Sequence, residues 1–147
     1  MANESMSTVQ IDLVEGMQFV ARAEGSGGTI VMDGSPDFGG VSSAARPMEV
    51  LLMALAGCTG MDVISILRKK RQRVSRMRVV VHGQRAEEHP RRYERIELEF
   101  IVRGWAVDDA AVARSIELSR EKYCGVTASL NSEVVTSFRV EEEAPEV

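Results

Sequence analysis

The sequence predicts an α+β domain. Three observations carry that prediction: short alternating apolar runs near the N-terminus, one long apolar stretch over residues 50–67, and a period-two hairpin beyond it. A chain of 147 residues suits one domain built on one core. Hydrophobic residues at 44% and charged residues at 27% give a globular balance, not a disordered one. The net charge of −4 argues against a protein built mainly to hold nucleic acid, because phosphate affinity comes from excess Lys and Arg. Residues 1–7 are polar and lack the basic start and apolar run of a secretory signal, which places the chain in the cytoplasm. In that reducing compartment its two cysteines are more often thiols than a structural disulfide.

Over residues 8–32, apolar alternation is broken at Glu15-Gly16 and at Gly25-Ser26-Gly27-Gly28, the pattern of three strands in an antiparallel meander. Residues 34–46 are rich in Gly, Ser, Pro and Ala and read as a loop whose length suggests mobility. Pro47 suits the first turn of a helix, and Glu49 places a negative charge where the helix dipole favours it. This central helix, about 47–72, is apolar almost all round, with Thr59, Asp62 and Ser65 as its clearly polar side chains. A chain this small has few elements to cover such a helix, so a second copy of the chain is the expected cover, and a homodimer follows. The stretch is also long enough to cross a bilayer, but Asp62 inside it and the half-buried strands around it favour a soluble core helix and no membrane.

The hairpin spans about 74–104. In its second half Ile96, Leu98, Phe100 and Val102 alternate with charged neighbours and mark one buried face. Asp108 or Asp109 can cap a second helix, about 108–123, with Val112, Ser115, Ile116 and Ser119 shaping its inner side. A last strand at about 134–140 precedes an acidic tail, 141–147, expected to be disordered.

Cys58 and Cys124 are the candidate site. Cys58 lies between Gly57 and, two residues on, Gly60, small residues that leave the sulfur approachable. Asp62 shares its helix face four residues later, and its charge disfavours the thiolate unless a Lys or Arg from elsewhere offsets it. Cys124 ends the second helix, with Lys122 before it and Gly125 after it. Two such thiols form a reversible pair if they meet: one becomes sulfenic acid and the other resolves it as a disulfide. The plainer reading, two buried structural cysteines, stands beside it.

The run Pro47-Met48-Glu49-Val50-Leu51-Leu52-Met53-Ala54-Leu55-Ala56-Gly57-Cys58 resembles the first-cysteine motif of the OsmC/Ohr family, and Tyr123-Cys124-Gly125-Val126 with Ser129 is similar to its second. The resemblance covers about residues 10–140. It implies a two-layer α+β fold, with antiparallel sheets wrapped around long central helices in an intertwined homodimer and thiol sites at the subunit interface. It also implies reduction of organic hydroperoxides, with Cys58 attacking, Cys124 resolving, and a thiol or lipoyl-protein reductant. The chain departs from the family where its best-studied members carry a Glu and an Arg that prepare the thiolate. Met48 stands at the Glu position, Glu49 falls on the opposite helix face from Cys58, and Arg22 and Arg46 are the nearby arginines. This places the chain nearer the less characterised branch of the family. The alternative function is a non-catalytic binding protein for a small apolar or thiol-containing ligand at the dimer interface.

Met48, Met53 and Met61 are read as ordinary core packing, with a pocket for an alkyl chain as the alternative. The basic run Arg68 to Arg73, with Arg76 and Arg78 beyond, is best read as complementing the helix C-terminus. Two histidines, His82 and His89, are too few for a metal site, and Gly25, Gly27 and Gly28 do not open a helix as a dinucleotide loop must; neither metal nor cofactor is expected.

Overall fold

The computed structural model describes residues 5–145, and the chain falls into two compact units, Met1–Leu51 and Leu52–Val147. Residues 1–4 of the polar N-terminal segment and residues 146–147 of the acidic tail lie outside the described residues.

The first unit holds the expected meander: β1 (Val9–Glu15), β2 (Gln18–Ala23) and β3 (Thr29–Met32), antiparallel and in that order. Glu15 pairs with Gln18 across a two-residue turn in which Gly16 takes a φ of +55°, the left-handed backbone that such a hairpin needs. Val9, Ile11 and Leu13 lie on one side of β1, and each is more than half exposed. The loop that follows is not the loose segment its composition suggests. Asp33 is buried and its carboxylate ties the loop together. Oδ1 accepts the Gly34 N–H (2.7 Å), and Oδ2 accepts the Val41 N–H (3.3 Å), the Ser43 N–H (3.0 Å) and the Ser43 hydroxyl (2.7 Å).

Helix α1 (Pro47–Lys69) begins at the proline, as its sequence predicts. It ends three residues before the expected limit. The Gln72 N–H reaches the Leu67 carbonyl and the Arg71 N–H reaches that of Arg68, with Arg71 at a φ of 56°; this closes the helix as a Schellman cap with arginine where glycine is usual. In the second unit Leu55, Thr59, Val63 and Leu67 recur every four residues as one buried stripe. Gly60 lets that stripe approach β4 (Arg73–Arg85): a Cβ placed there would sit 3.6 Å from Val79 and 3.7 Å from Met77. The hairpin partner β5 (Tyr93–Trp105) is antiparallel to β4, and its Ile96, Leu98, Phe100 and Val102 are buried as their alternation requires.

Helix α2 (Asp109–Leu118) starts at the Asp108 cap, whose side chain accepts the Ala110 N–H at 3.1 Å. The helix predicted as continuous to residue 123 instead widens at Ser119–Tyr123 into a π-helical turn, closed by the Cys124 N–H on the Ser119 carbonyl at 2.8 Å. A short helix, α3 (Gly125–Ser129), follows. It leads to β6 (Glu133–Glu142), which joins β5 in parallel and so departs from the expectation of wholly antiparallel sheets. The crossover through α2 and α3 carries the chain back to the end of the sheet where β5 began, and a strand entered there must run alongside β5. The acidic segment is ordered through residue 145: Glu141 and Glu142 belong to β6, the Glu143 N–H reaches the Gly104 carbonyl, and the Trp105 indole N–H donates to the Ala144 carbonyl at 3.1 Å. Paired carboxylates explain this order, because Arg103 sits 3.6 Å from Glu141 and the Ser75 hydroxyl donates to Glu143.

Candidate thiol site

The second unit brings the two sequence-predicted site residues together. The Sγ atoms of Cys58 and Cys124 and a carboxylate oxygen of Asp62 all lie within 4.8 Å of one another, and both cysteines are free thiols. Cys58 comes from the middle of α1 and is half-buried; Cys124 is buried at the N-cap of α3. The π-helical turn supplies the aim. Its extra residue per turn displaces the chain just before Cys124, a device often found at functional sites.

Ser119 opens that turn and is buried; its hydroxyl donates to Asp62 Oδ2 at 2.8 Å. Asp62 is thereby held beside the sulfurs, one turn beyond Cys58. The Thr127 N–H donates to Cys124 Sγ at 3.3 Å, and the Val126 N–H hydrogen-bonds to Cys58. Burial pushes the Cys58 thiol up first, then its hydrogen bond to Cys124, with the charges of Cys124 and Asp62 acting the same way; the Val126 N–H opposes them. No cation appears among these dominant influences. On balance these surroundings disfavour the Cys58 thiolate.

A glycine adjoins each cysteine in the chain. Cβ atoms built at Gly57 and Gly125 would meet no neighbouring group within 4 Å. Met53 and Met61, at 57% and 73% exposed, are not packed in the core of the chain, contrary to the core reading of these methionines. Arg46 and Glu49 pair with each other: the Arg46 N–H donates to Glu49 Oε1 at 3.3 Å, and its Nε lies 3.8 Å from the same oxygen. Arg22 is an exposed residue of β2. Arg68 and Lys69 occupy the last turn of α1, as the dipole reading predicts, and Arg73 stacks on Trp105 with 4.9 Å to the ring centroid. Ser119, Val126 and Thr127 were not predicted as site residues. Ser119 read as a small residue of an inner helix face, and the two amides belong to a helix too short to leave a periodic signal.

An α+β fold with two facing thiols on a helix and a capped turn defines a thiol protein. The model of the OsmC-like protein family matches residues 40–139, and the chain belongs to that family. It is 44% identical over 125 residues to Protein YhfA of Escherichia coli (strain K12), an alignment covering 85% of this chain and 90% of that protein. A solved structure from Aquifex aeolicus VF5 is similar with a TM-score of 0.82 at 31% identity, covering 95% and 99% of the two chains. An organic hydroperoxide resistance protein from Elizabethkingia anophelis shares the fold, with a TM-score of 0.64 at 10% identity over 97% and 100%.

Proposed function

We propose that the chain reduces organic hydroperoxides at the expense of thiols, cycling through a Cys58–Cys124 disulfide. The observation that supports this most directly is the approach of the two sulfurs to within 4.8 Å. In this reading the Cys58 thiolate attacks the hydroperoxide, an S–O bond forms as the O–O bond breaks, and the protonated alkoxide leaves as alcohol. Cys124 then attacks the sulfenic sulfur, the disulfide forms and water departs. A lipoyl-type dithiol or two small thiols regenerate the pair by exchange. Cytoplasmic residence belongs to the same proposal, since the cycle needs a reducing pool.

The working form is a homodimer. Only 28% of the most apolar 18-residue window of α1 is buried within the chain, and Val9, Ile11 and Leu13 on β1 are uncovered as well. Apolar surface of this extent calls for a cover. The docking of α1 on β4 and the bond of Asp62 to Ser119 support a protein cover over a bilayer.

The test is intact mass and free-thiol count before and after one equivalent of an alkyl hydroperoxide, for the native chain and for Cys58→Ser and Cys124→Ser. The expected result is rapid loss of both thiols as an intramolecular disulfide, with Cys58→Ser inert and Cys124→Ser halting at a sulfenic acid. Undiminished peroxide consumption by Cys58→Ser would remove the mechanism. A second reading, non-catalytic binding of a small apolar or thiol-bearing ligand at the dimer interface, is favoured by the burial that pushes the Cys58 thiol up and by the exposed Met53 and Met61. It calls for ligand-dependent thermal stabilisation with both thiols left untouched.

A further inference from the structure

The histidine count of this chain led to an expectation of no metal. The fold changes the terms, because it adds a carboxylate to the two sulfurs. The donor atoms of Cys58, Asp62 and Cys124 stand within 4.8 Å of one another, and zinc bound at about 2.3 Å from sulfur and about 2.1 Å from oxygen needs its tetrahedral donors roughly 3.5–3.8 Å apart. Closing that gap takes about 1 Å of side-chain movement at most, within reach of ordinary torsional adjustment. Deprotonated, the three groups bring three negative charges together with no dominant cation at Cys58. A dication resolves that electrostatic conflict.

The surroundings are those of a metal site as well. The carboxylate is oriented by the buried Ser119 hydroxyl, which donates to Oδ2. The Thr127 N–H on Cys124 and the Val126 N–H on Cys58 suit sulfurs carrying thiolate charge. Three protein ligands leave a fourth position of a tetrahedral ion open.

We propose that Cys58, Asp62 and Cys124 form a binding site for a thiophilic divalent cation, with Zn²⁺ the ion that the two-sulfur, one-oxygen donor set fits best. Binding displaces the two thiol protons. It also engages both sulfurs, so the cation-bound state and the disulfide exclude each other, and the ion guards the reduced pair. The site does not depend on peroxide turnover.

The reduced, metal-stripped full-length chain is titrated with Co²⁺ as an optical probe and with Zn²⁺ by calorimetry in buffers of different ionisation enthalpy. Expected are one ion per chain, sulfur-to-cobalt charge-transfer absorption of two thiolates, release of about two protons, and protection of both thiols from alkylation at stoichiometric Zn²⁺. Asp62→Asn and Ser119→Ala are each expected to weaken Zn²⁺ by about tenfold or more, with circular dichroism of each variant confirming the native fold. Absence of the charge-transfer band in the native chain overturns the proposal and requires no variant to fold. So does unchanged affinity in a folded Asp62→Asn, or stoichiometric binding by Cys58→Ser/Cys124→Ser. Hydroperoxide-driven thiol loss is measured separately on metal-free protein, so a chain that binds Zn²⁺ without consuming peroxide, or the reverse, tells the two readings apart.

Discussion

Asp33 shows how much one side chain can organise. Its carboxylate is held at about 2, well below the ordinary value of 3.8, chiefly by the Ser43 hydroxyl and then by the Ser43 N–H, with smaller help from Gly34 and Val41 against the cost of burial. The folded chain thus favours the ionised form. The resulting stabilisation is complete above about pH 4, declines as pH falls toward 2, and is gone below it. Asp33→Asn is expected to lower protection of the Val41 and Ser43 amides by about tenfold at neutral pH, and to remove the acid dependence between pH 4 and 2. Hydrogen exchange measured across that range checks both, and equal protection in the two proteins would sink the account. None of this was legible in the sequence, where Asp33 is one more polar residue before a glycine. Its partners lie up to ten positions away, and only the folded loop brings them in. Cys58 and Cys124 were legible, because each sits in a recognisable run of small and apolar residues; Ser119 as the anchor of Asp62 was not, since nothing local separates it from Ser115.

At the scale of elements, starts were easier to read than ends. Pro47 and Asp108 mark the beginnings of α1 and α2 by their own chemistry, and the alternation of β5 set its buried face. The end of α1 depends on Arg71 taking a left-handed conformation that its side chain disfavours, so sequence pointed past it. Arg71→Gly is expected to stabilise the protein by about 1 kcal/mol, read as a higher urea midpoint with an unchanged slope. Leu67, fully buried on the same turn, sets the opposite case: Leu67→Ala should cost about 2–5 kcal/mol. A smaller loss would mean that the stripe on α1 collapses around the cavity. The π-helical turn, α3 and the parallel pairing of β6 escaped the sequence for a shared reason. Each is decided by where the chain must go next, and a five-residue helix holding Gly, Val and Thr has neither propensity nor period to announce itself.

For the molecule as a whole, the uncovered face of α1 is the main debt. Met61 is 73% exposed in the chain, so a polar substitution there costs the chain itself little. Met61→Glu is expected to keep the native circular dichroism yet run as a monomer by light scattering, at concentrations where the native chain is a dimer. A native chain that is already monomeric under those conditions would defeat the dimer. Closing the disulfide would tie a loop spanning 66 positions, from residue 58 to 124. On chain-entropy grounds this stabilises by about 4 kcal/mol and raises the melting midpoint by about 10 °C. A midpoint indifferent to oxidation would show that the bond strains the fold. The crossover that carries Cys124 to its place also has a meaning in time. Cys58 leaves the ribosome while the whole second sheet is still unmade, and its partner is fixed only when the turn before α3 closes and β6 begins. A fragment ending short of Cys124 therefore offers Cys58 as a lone thiol, open to capture by any small disulfide it meets, whereas the finished chain closes that opening by its own last steps of assembly.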